Sequence, residues 1–272
     1  MTSTEQTRAT FLHPEGPTIE IVPTATALDD RAAEHITVAI AAGNAATITL
    51  PTGSTPIGLY HILCERIGSG ALSLEGVVVF QLDEFRNLPA DHPQSFAVWL
   101  RGQLLDAAGV GIDRFHLVPA TANDPVAAGI AFETLIDRAG GLDLAVLGLG
   151  DNGHVAFNEP GSAVDSRTRL LTLSDETIAQ TGRTWPPDSP VPTEAVTMGV
   201  GTLLEARSIL LLVKGVAKAG IARKTLLDEL TADVPGSFMR RAGSRLTVVL
   251  DEPAASGIQD ELTMWERIAN RD

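Results

Sequence analysis

Short apolar runs alternate with stretches of helical spacing along nearly the whole chain, and this order constrains the fold most strongly. The runs at 77–81, 142–147 and 209–213 are almost continuously apolar, interrupted only by Gln81 and Asp143. Such strands are typical of a sheet that is buried on both faces. Strands that alternate with helices in this way predict a doubly wound, Rossmann-like α/β fold, with a mostly parallel sheet and helices on both faces.

The same reading predicts the element boundaries and the domain organisation. Residues 1–17 are predicted to be a flexible N-terminal tail, and 18–272 a single α/β domain. The Pro-rich segment 182–193 is either a surface connector or the edge of a lid over a site. The predicted strands are 19–22, 46–50, 77–81, 115–118, 142–147, 167–173, 209–213 and 246–250. The predicted helices are 28–42, 56–67, 96–107, 125–139, 175–181, 216–230 and 257–269.

Charge and cysteine content exclude several classes of partner. The 272 residues carry a formal net charge of −14, which argues against nucleic acid or an anionic membrane as the main partner. A small anionic substrate remains compatible with a locally positive site. Cys64 is the single cysteine, so no intrachain disulfide and no cysteine-built metal site is expected. The N-terminus lacks the apolar core of a signal peptide, and no apolar run reaches membrane-spanning length, so a cytoplasmic protein is expected.

Polar residues follow four of the predicted strands, and ligands of open α/β sheets bind at the carboxyl ends of strands. The four loops are 51–56, 82–84, 148–159 and 214–218. Gly53, Ser54 and Thr55 open a helix, where free N–H groups and the helix dipole favour an anion such as phosphate. The alternative is an ordinary helix cap.

The other three loops supply groups that can move a proton or hold a charge. Asp83 and Glu84 are adjacent, so only one of them can face a site from a regular strand. His154 lies among glycines, with Glu159 close enough to orient its imidazole, and its ordinary pKa suits proton transfer. Lys218 is either a phosphate anchor or a surface lysine. The six histidines show no metal-ligand spacing, so no metal site is expected.

Taken together, these motifs resemble the glucosamine-6-phosphate deaminase family, within the wider group that includes 6-phosphogluconolactonases. The resemblance covers about 19–253, and its most specific part is GHVAFNEPG followed by SRTR. Lactonases are not expected to carry the Asn-Glu-Pro after the Gly-His pair. The further matching stretches are LPTGSTPIGLY, LDEFRNLPADHPQSF and VTMGVGTLLEARSILLLVKGVAKA.

The resemblance implies roles for individual residues and requires no cofactor. Asp83 resembles the base that moves a proton between C2 and C1 of the sugar. His154 resembles the group that opens the pyranose ring, assisted by Glu159, and Asn152 stands where some members have Asp. Glu84 and Gly153 are weaker candidates for substrate contact. The residues that resemble the phosphate-binding set are Gly53, Ser54, Thr55, Arg183 and Lys218.

The resemblance leaves regulation and assembly less defined. Ser162 and Arg169 match part of an allosteric pocket found in some members, but Leu171 stands where a cation is expected. We therefore expect this chain to lack that allosteric control. Members of the family range from monomers to hexamers, so a homo-oligomer stays open.

The expected reaction converts glucosamine 6-phosphate and water into fructose 6-phosphate and ammonia. The alternatives are a galactosamine 6-phosphate isomerase, a 6-phosphogluconolactonase-type hydrolase and a non-catalytic sugar-phosphate sensor. Glu159 argues against the lactonase, and the acidic chain without a basic segment argues against a DNA-binding regulator.

Overall fold

The computed structural model describes residues 9–43 and 46–268. The strands are β1 Ala9–Leu12, β2 Thr18–Val22, β3 Thr47–Leu50, β4 Val78–Gln81, β5 Asp83–Phe85, β6 Phe115–His116, β7 Leu144–Gly148, β8 Arg169–Thr172, β9 Glu194–Thr197, β10 Ser208–Val213, β11 Leu246–Asp251 and β12 Glu266–Ile268. The α-helices are α1 Ala25–Ala41, α2 Ile57–Gly68, α3 Phe96–Leu100, α4 Pro125–Arg138, α5 Asp175–Gly182, α6 Val200–Leu204, α7 Ala219–Leu227, α8 Glu252–Ala255 and α9 Gln259–Leu262.

A large central sheet confirms the predicted α/β fold. Its strand order within the described residues is β12-β1-β2-β11-β10-β7-β3-β4-β6. The seven strands from β2 to β6 in this order pair in parallel, whereas β1 pairs antiparallel with both β2 and β12. The carboxyl ends of β3, β4, β7 and β10 therefore lie along one edge of the sheet.

Alternate side chains of the central strands enter two separate cores. In β7, Leu144 and Val146 pack with residues of α1 and α2, while Ala145 and Leu147 pack with residues of α4 and α7. Both faces are thus covered by helices, which explains why β7 and β10 carry apolar side chains on both faces. None of the helices in the described ranges is long and apolar enough to cross a membrane.

A second, three-stranded sheet with the order β5-β9-β8 lies outside the main one and is entirely antiparallel. In its register Asp83 pairs with Thr197 and Phe85 with Ala195. The sequence pattern predicts a strand at β8 but none at β5 or β9. Their lengths of three and four residues are too short for a recognisable apolar pattern.

Most predicted helices exist, but two change geometry along their length. The helix predicted at 96–107 begins as α3 and continues as a π-helix over Arg101–Leu105. The helix predicted at 216–230 begins as a 3₁₀ turn over Val216–Lys218 before α7. A further 3₁₀ segment, Pro235–Arg245, was not predicted.

Two predictions at the chain ends were wrong. Part of the expected tail, Ala9–Leu12, forms β1, while residues 1–8 lie outside the described residues. The helix predicted at 257–269 is replaced by a 3₁₀ turn over Ser256–Ile258, the short α9 and β12, and residue 269 is not described. The two errors have one cause, because β12 pairs with β1 and each strand satisfies the backbone groups of the other.

Candidate active site

Loops that follow four parallel strands meet at one edge of the central sheet, as the sequence predicts. They lead from β3 to Gly53, from β4 to Asp83, from β7 to His154 and from β10 to Lys218. An ion pair of 2.5 Å between Lys218 Nζ and Asp151 Oδ1 joins the last two loops. The cation predicted to bind phosphate therefore reaches the loop that carries the histidine.

Glycine makes room for the imidazole of His154. A Cβ at Gly150 would lie 2.3 Å from His154 Nε2, so no larger residue fits there without displacing the ring. The backbone closes the same turn, since Gly150 N–H donates to the His154 carbonyl at 2.9 Å. Gly153 has a φ of +86° and is buried, with its carbonyl accepting from Gly236 N–H at 2.8 Å. These contacts are structural, and contact between Gly153 and a substrate stays a prediction.

Glu159 lies beside His154 and is held by neutral donors. Its Oε2 is 3.8 Å from His154 Nδ1, and it accepts from Asn152 Nδ2 at 2.8 Å and from Ser174 Oγ at 3.1 Å. Asn152 also accepts from the His154 amide at 3.2 Å. The three predicted residues Asn152, His154 and Glu159 thus form one cluster, with Ser174 as a fourth member.

Burial keeps this imidazole neutral. Desolvation lowers the pKa of His154, and nearby Lys218 lowers it further, while Glu159 and Asp151 act in the opposite direction. His154 Nδ1 and Glu159 Oε1 are both buried without a hydrogen-bond partner among the described residues. A neutral ring beside a carboxylate is ready to accept a proton, and the carboxylate would then stabilise the resulting cation.

Asp83 is buried at the start of β5, with 6% of its surface exposed. Burial, assisted by repulsion from Glu84, raises its pKa to about 8, and a hydrogen bond with the backbone of Phe157 partly opposes this shift. Phe157 precedes Glu159 by two positions, so Asp83 contacts the loop that carries His154 and Glu159. A carboxyl group that titrates close to neutral pH suits general base catalysis.

Glu84 faces away from Asp83 and holds the start of α3. Its carboxylate accepts from Gln81 Nε2 at 3.1 Å, from Phe85 N–H at 3.0 Å and from Ala97 N–H at 3.2 Å. Burial raises the pKa of Glu84, although these hydrogen bonds oppose the rise. The structure therefore gives Glu84 a positioning role, and direct contact with a substrate stays a prediction.

The Gly53 loop lies between β3 and α2 with its surface open to solvent. Gly53 has a φ of +91°, and both it and Ser54 are exposed. Pro56 caps α2 and makes no side-chain capping bond, so the alternative of an ordinary side-chain cap does not apply. Among the described residues, the amides of Gly53, Ser54 and Thr55 have no hydrogen-bond acceptor. They are available to an anion.

Arg183, the remaining predicted phosphate ligand, is exposed at the end of α5. No contact within the described ranges joins its side chain to the other predicted phosphate-binding residues. Trp185, just beyond it, packs edge-on against Phe85 at 5.3 Å between ring centroids. The segment 182–193 is thus anchored next to β5, and its role as connector or lid stays open.

A cavity of about 470 Å³ separates the Pro-rich segment from the loop after β5. Its walls include Arg86, His92, Trp185 and Glu194, but none of the residues predicted for catalysis or phosphate binding. This cavity is therefore distinct from the sheet edge where the titratable groups converge. We place the candidate site at that edge, outside the cavity, because the titratable groups converge there.

Two residues of the site were missed by the sequence analysis. Ser174 caps α5 by accepting from Thr177 N–H at 3.2 Å and also holds Glu159. A serine just before a predicted helix is typical of a cap, but nothing in the sequence indicates its second contact. Thr197 accepts from Phe157 N–H at 3.2 Å and pairs with Asp83 in the small sheet. It lies in β9, which was itself not predicted.

Ser162 and Arg169, which match part of an allosteric pocket, contact each other. Arg169 donates to Ser162 Oγ at 2.8 Å and to Asn158 Oδ1 at 2.9 Å. Asn158 is fully buried and bonded to the backbone of Val155 and Met198. Within the described residues, the pair therefore supports the chain directly before Glu159. Loss of allosteric control stays a prediction.

The fold and the site together define a class of protein: an α/β enzyme in which a loop with open amides, the adjacent buried carboxyl groups of Asp83 and Glu84, and a histidine meet at one sheet edge. A profile of the family described as Glucosamine-6-phosphate isomerases/6-phosphogluconolactonase matches residues 22–248. The chain belongs to this family.

Individual relatives agree with this assignment. The chain is 42% identical to a glucosamine-6-phosphate deaminase of Rhodopirellula baltica over 238 residues, which cover 88% of this chain and 94% of that protein. It is 37% identical to one of Streptomyces avermitilis, with 89% and 92% covered. A solved monomeric glucosamine-6-phosphate deaminase superposes with a TM-score of 0.83 at 33% identity, with 88% and 99% covered. A 6-phosphogluconolactonase from Trypanosoma cruzi, at 24% identity and a TM-score of 0.72 with 91% and 98% covered, shares the fold.

Proposed function

We propose that the protein deaminates glucosamine 6-phosphate, giving fructose 6-phosphate and ammonia with the uptake of one water. The observation that carries this proposal is the carboxylate of Glu159 at 3.8 Å from His154, within the Asn-Glu-Pro stretch. The similarity to deaminases over most of the chain supports it.

The first step of the proposed reaction opens the sugar ring at His154. Its neutral imidazole accepts the proton of the C1 hydroxyl, the bond from C1 to the ring oxygen breaks as the carbonyl forms, and the proton passes to the ring oxygen. Glu159 stabilises the imidazolium that exists in between. Asn152 and Ser174 donate to the carboxylate and so keep it oriented toward the ring.

The second step moves a proton from C2 to C1 through Asp83. The ionised carboxylate takes the C2 proton while the C1 oxygen accepts a proton, which leaves an enolamine. The carboxylic acid then gives its proton to C1 as the amino nitrogen loses one, so that an imine forms at C2. The resulting imine at C2 reacts with water, so that ammonia leaves and the ketone of fructose 6-phosphate remains. Because atoms and electrons balance without a redox step, the proposed reaction has no need of a redox cofactor.

The phosphate of the substrate is proposed to bind the amides of Gly53, Ser54 and Thr55 together with Lys218 and Arg183. The amides have no acceptor among the described residues, and a helix N-terminus favours an anion. Fixing the phosphate holds C1 and C2 against the two proton-transfer groups. Such positioning supplies a large part of the rate in enzymes that move protons.

The test is ammonia release by the purified protein from glucosamine 6-phosphate, with the product identified as fructose 6-phosphate. Galactosamine 6-phosphate and 6-phosphogluconolactone are run in parallel at the same concentrations. We expect turnover of the gluco sugar to exceed that of the other two. Preference for the galacto sugar would move the sugar assignment, rapid lactone hydrolysis would indicate a hydrolase, and tight binding without turnover would indicate a sensor.

A cytoplasmic location, the absence of a nucleic-acid partner and the state of assembly stay proposals. Composition and the family resemblance support these three proposals. The positions of the site residues do not test them.

A further inference from the structure

Two charged residues that the proposed mechanism does not use lie behind the Gly53 loop. Lys214 follows β10, and Asp29 lies in α1. Lys214 Nζ is 2.7 Å from Asp29 Oδ1 and donates to the Thr55 carbonyl at 3.0 Å. Both side chains are largely buried, with exposures of 19% and 10%. The pair thus joins α1, β10 and the phosphate loop, although 185 positions separate its members.

Asp29 also packs directly against the first turn of α2. A Cβ at Gly58 would lie 2.1 Å from Asp29 Oδ2, so only glycine permits this approach. The backbone of Leu59 forms a hydrogen bond to the same carboxylate. The inner side of the α2 N-terminus is therefore occupied by a carboxylate, and Lys214 balances its charge.

Buried side chains hold a carbonyl at each end of the loop. Tyr60 is fully buried, and its hydroxyl donates to the Pro51 carbonyl at 2.5 Å. Lys214 holds the Thr55 carbonyl in the same manner at the other end. With these two acceptors engaged, the peptides between them present N–H groups without acceptors among the described residues. Fixed donors bind an anion better than donors that must first be ordered.

We propose that Lys214 and Asp29 are positioning residues that keep the Gly53–Thr55 loop in its phosphate-binding conformation. The inference rests on the proposed phosphate role of that loop. Without Lys214 the Thr55 carbonyl is free to turn toward the ligand, and the Asp29 carboxylate is left unpaired at the N-terminus of α2. Both effects weaken phosphate binding, and neither removes a group that contacts C1 or C2.

The test compares wild type, Lys214→Met, the charge-balanced double variant Asp29→Asn with Lys214→Met, and Lys224→Met as a matched control. Lys224 is exposed on α7 and has no ion pair in the described part of the chain. The dissociation constant of inorganic phosphate is measured by ³¹P NMR titration, and kcat and KM are measured separately. We expect Lys214→Met to raise both the phosphate constant and KM about tenfold, with kcat and the control unchanged. The double variant should recover part of the loss.

A folded Lys214→Met that binds phosphate as wild type does would overturn the inference, as would a loss confined to kcat. If Lys214→Met does not fold, phosphate binding is measured on the double variant, which has no unpaired carboxylate. Binding equal to wild type would then overturn the inference. The phosphate titration does not depend on turnover, so it tests the positioning role separately from the proposed reaction. Phosphate binding that depends on Lys214 in a protein without deaminase activity would support the positioning role and refute the proposed reaction.

Discussion

The amide at Asn152 determines how charge is distributed around His154. Asn152 donates to Glu159, so a neutral group holds the carboxylate at 2.8 Å where an Asp would bring a second negative charge. The imidazole therefore has Glu159 as its nearest anionic neighbour, at 3.8 Å. Family members with Asp at this position could place two linked carboxylates next to the histidine. This protein cannot do so, because Asn152 is uncharged.

Glu159→Gln tests this pairing. Since Glu159 raises the pKa of His154 against the effect of burial, its removal should lower that pKa further. We expect kcat to fall by about 10²-fold, as for the loss of a group that supports acid–base catalysis. Steady-state kinetics and an NMR titration of the imidazole measure the two effects. An unchanged imidazole titration would show that Glu159 does not act on His154.

If Lys218 binds the substrate phosphate as proposed, Asp151 is expected to compete with the substrate for it. The two residues form an ion pair of 2.5 Å, and Asp151 is half exposed. Asp151→Asn releases the cation for phosphate, so we expect KM to fall about two- to fivefold, the range of a partly exposed ion pair. Asp260→Asn, an exposed residue of α9, is the control. A higher KM in Asp151→Asn would mean that the ion pair instead helps to place Lys218.

At the level of elements, the sequence predicts the large sheet well and its smaller partner poorly. The strands β4, β7 and β10 are largely continuous apolar runs. A surface helix would instead show apolar residues only every three to four positions. In contrast, β5, β9 and β12 are short, and their existence depends on partners distant in the chain. Because the sheet edge follows from the long strands, Asp83, His154 and Glu159 were predictable. Lys214 lies in one of the four predicted loops, but its contacts with Asp29 and Thr55 were not predictable. Asp29 and Ser174 were not predictable either, since only the folded chain brings them to the site.

The N-cap residue of α5 also contacts a proposed catalytic residue. Ser174 both caps the helix and donates to Glu159. Ser174→Ala should destabilise the protein by about 1 kcal/mol, as expected for loss of a cap, and should also lower kcat. Ser174→Thr keeps the hydroxyl and is the matched control. Thermal unfolding and kinetics measured together would reveal a purely structural role if stability fell while kcat stayed constant.

For the whole molecule, we expect the burial of Asp83 to lower the free energy of unfolding increasingly as the pH rises. Its pKa is about 8 in the folded state and near 3.8 when unfolded, so between these values the folded protein binds the extra proton. Stability due to this group is therefore greatest at low pH and is lost as pH rises toward 8. We expect Asp83→Asn to raise Tm at pH 8 by about 2–4 °C, with a smaller gain at pH 5. Equal shifts at both pH values would contradict the raised pKa.

As the proposed base, Asp83 is also expected to determine the pH profile of the reaction. A base must be ionised, so kcat/KM should rise with pH up to about 8 and then level off. Repulsion from Glu84 contributes to the raised pKa, and Glu84→Gln should shift the rising limb to lower pH. A profile that is flat between pH 6 and 8, in wild type and variant alike, would exclude Asp83 as the titrating base.

The rate of ammonia release by Asp83→Asn, measured beside wild type at pH 8, decides whether Asp83 carries the proton from C2 to C1. The change removes the base but leaves the Gly53 loop, Lys218 and the cluster around His154 intact. We expect a loss of at least about 10²-fold in kcat, with the dissociation constant of inorganic phosphate unchanged. A variant that releases ammonia at the wild-type rate would contradict the assignment of Asp83 as the group that carries the proton from C2 to C1.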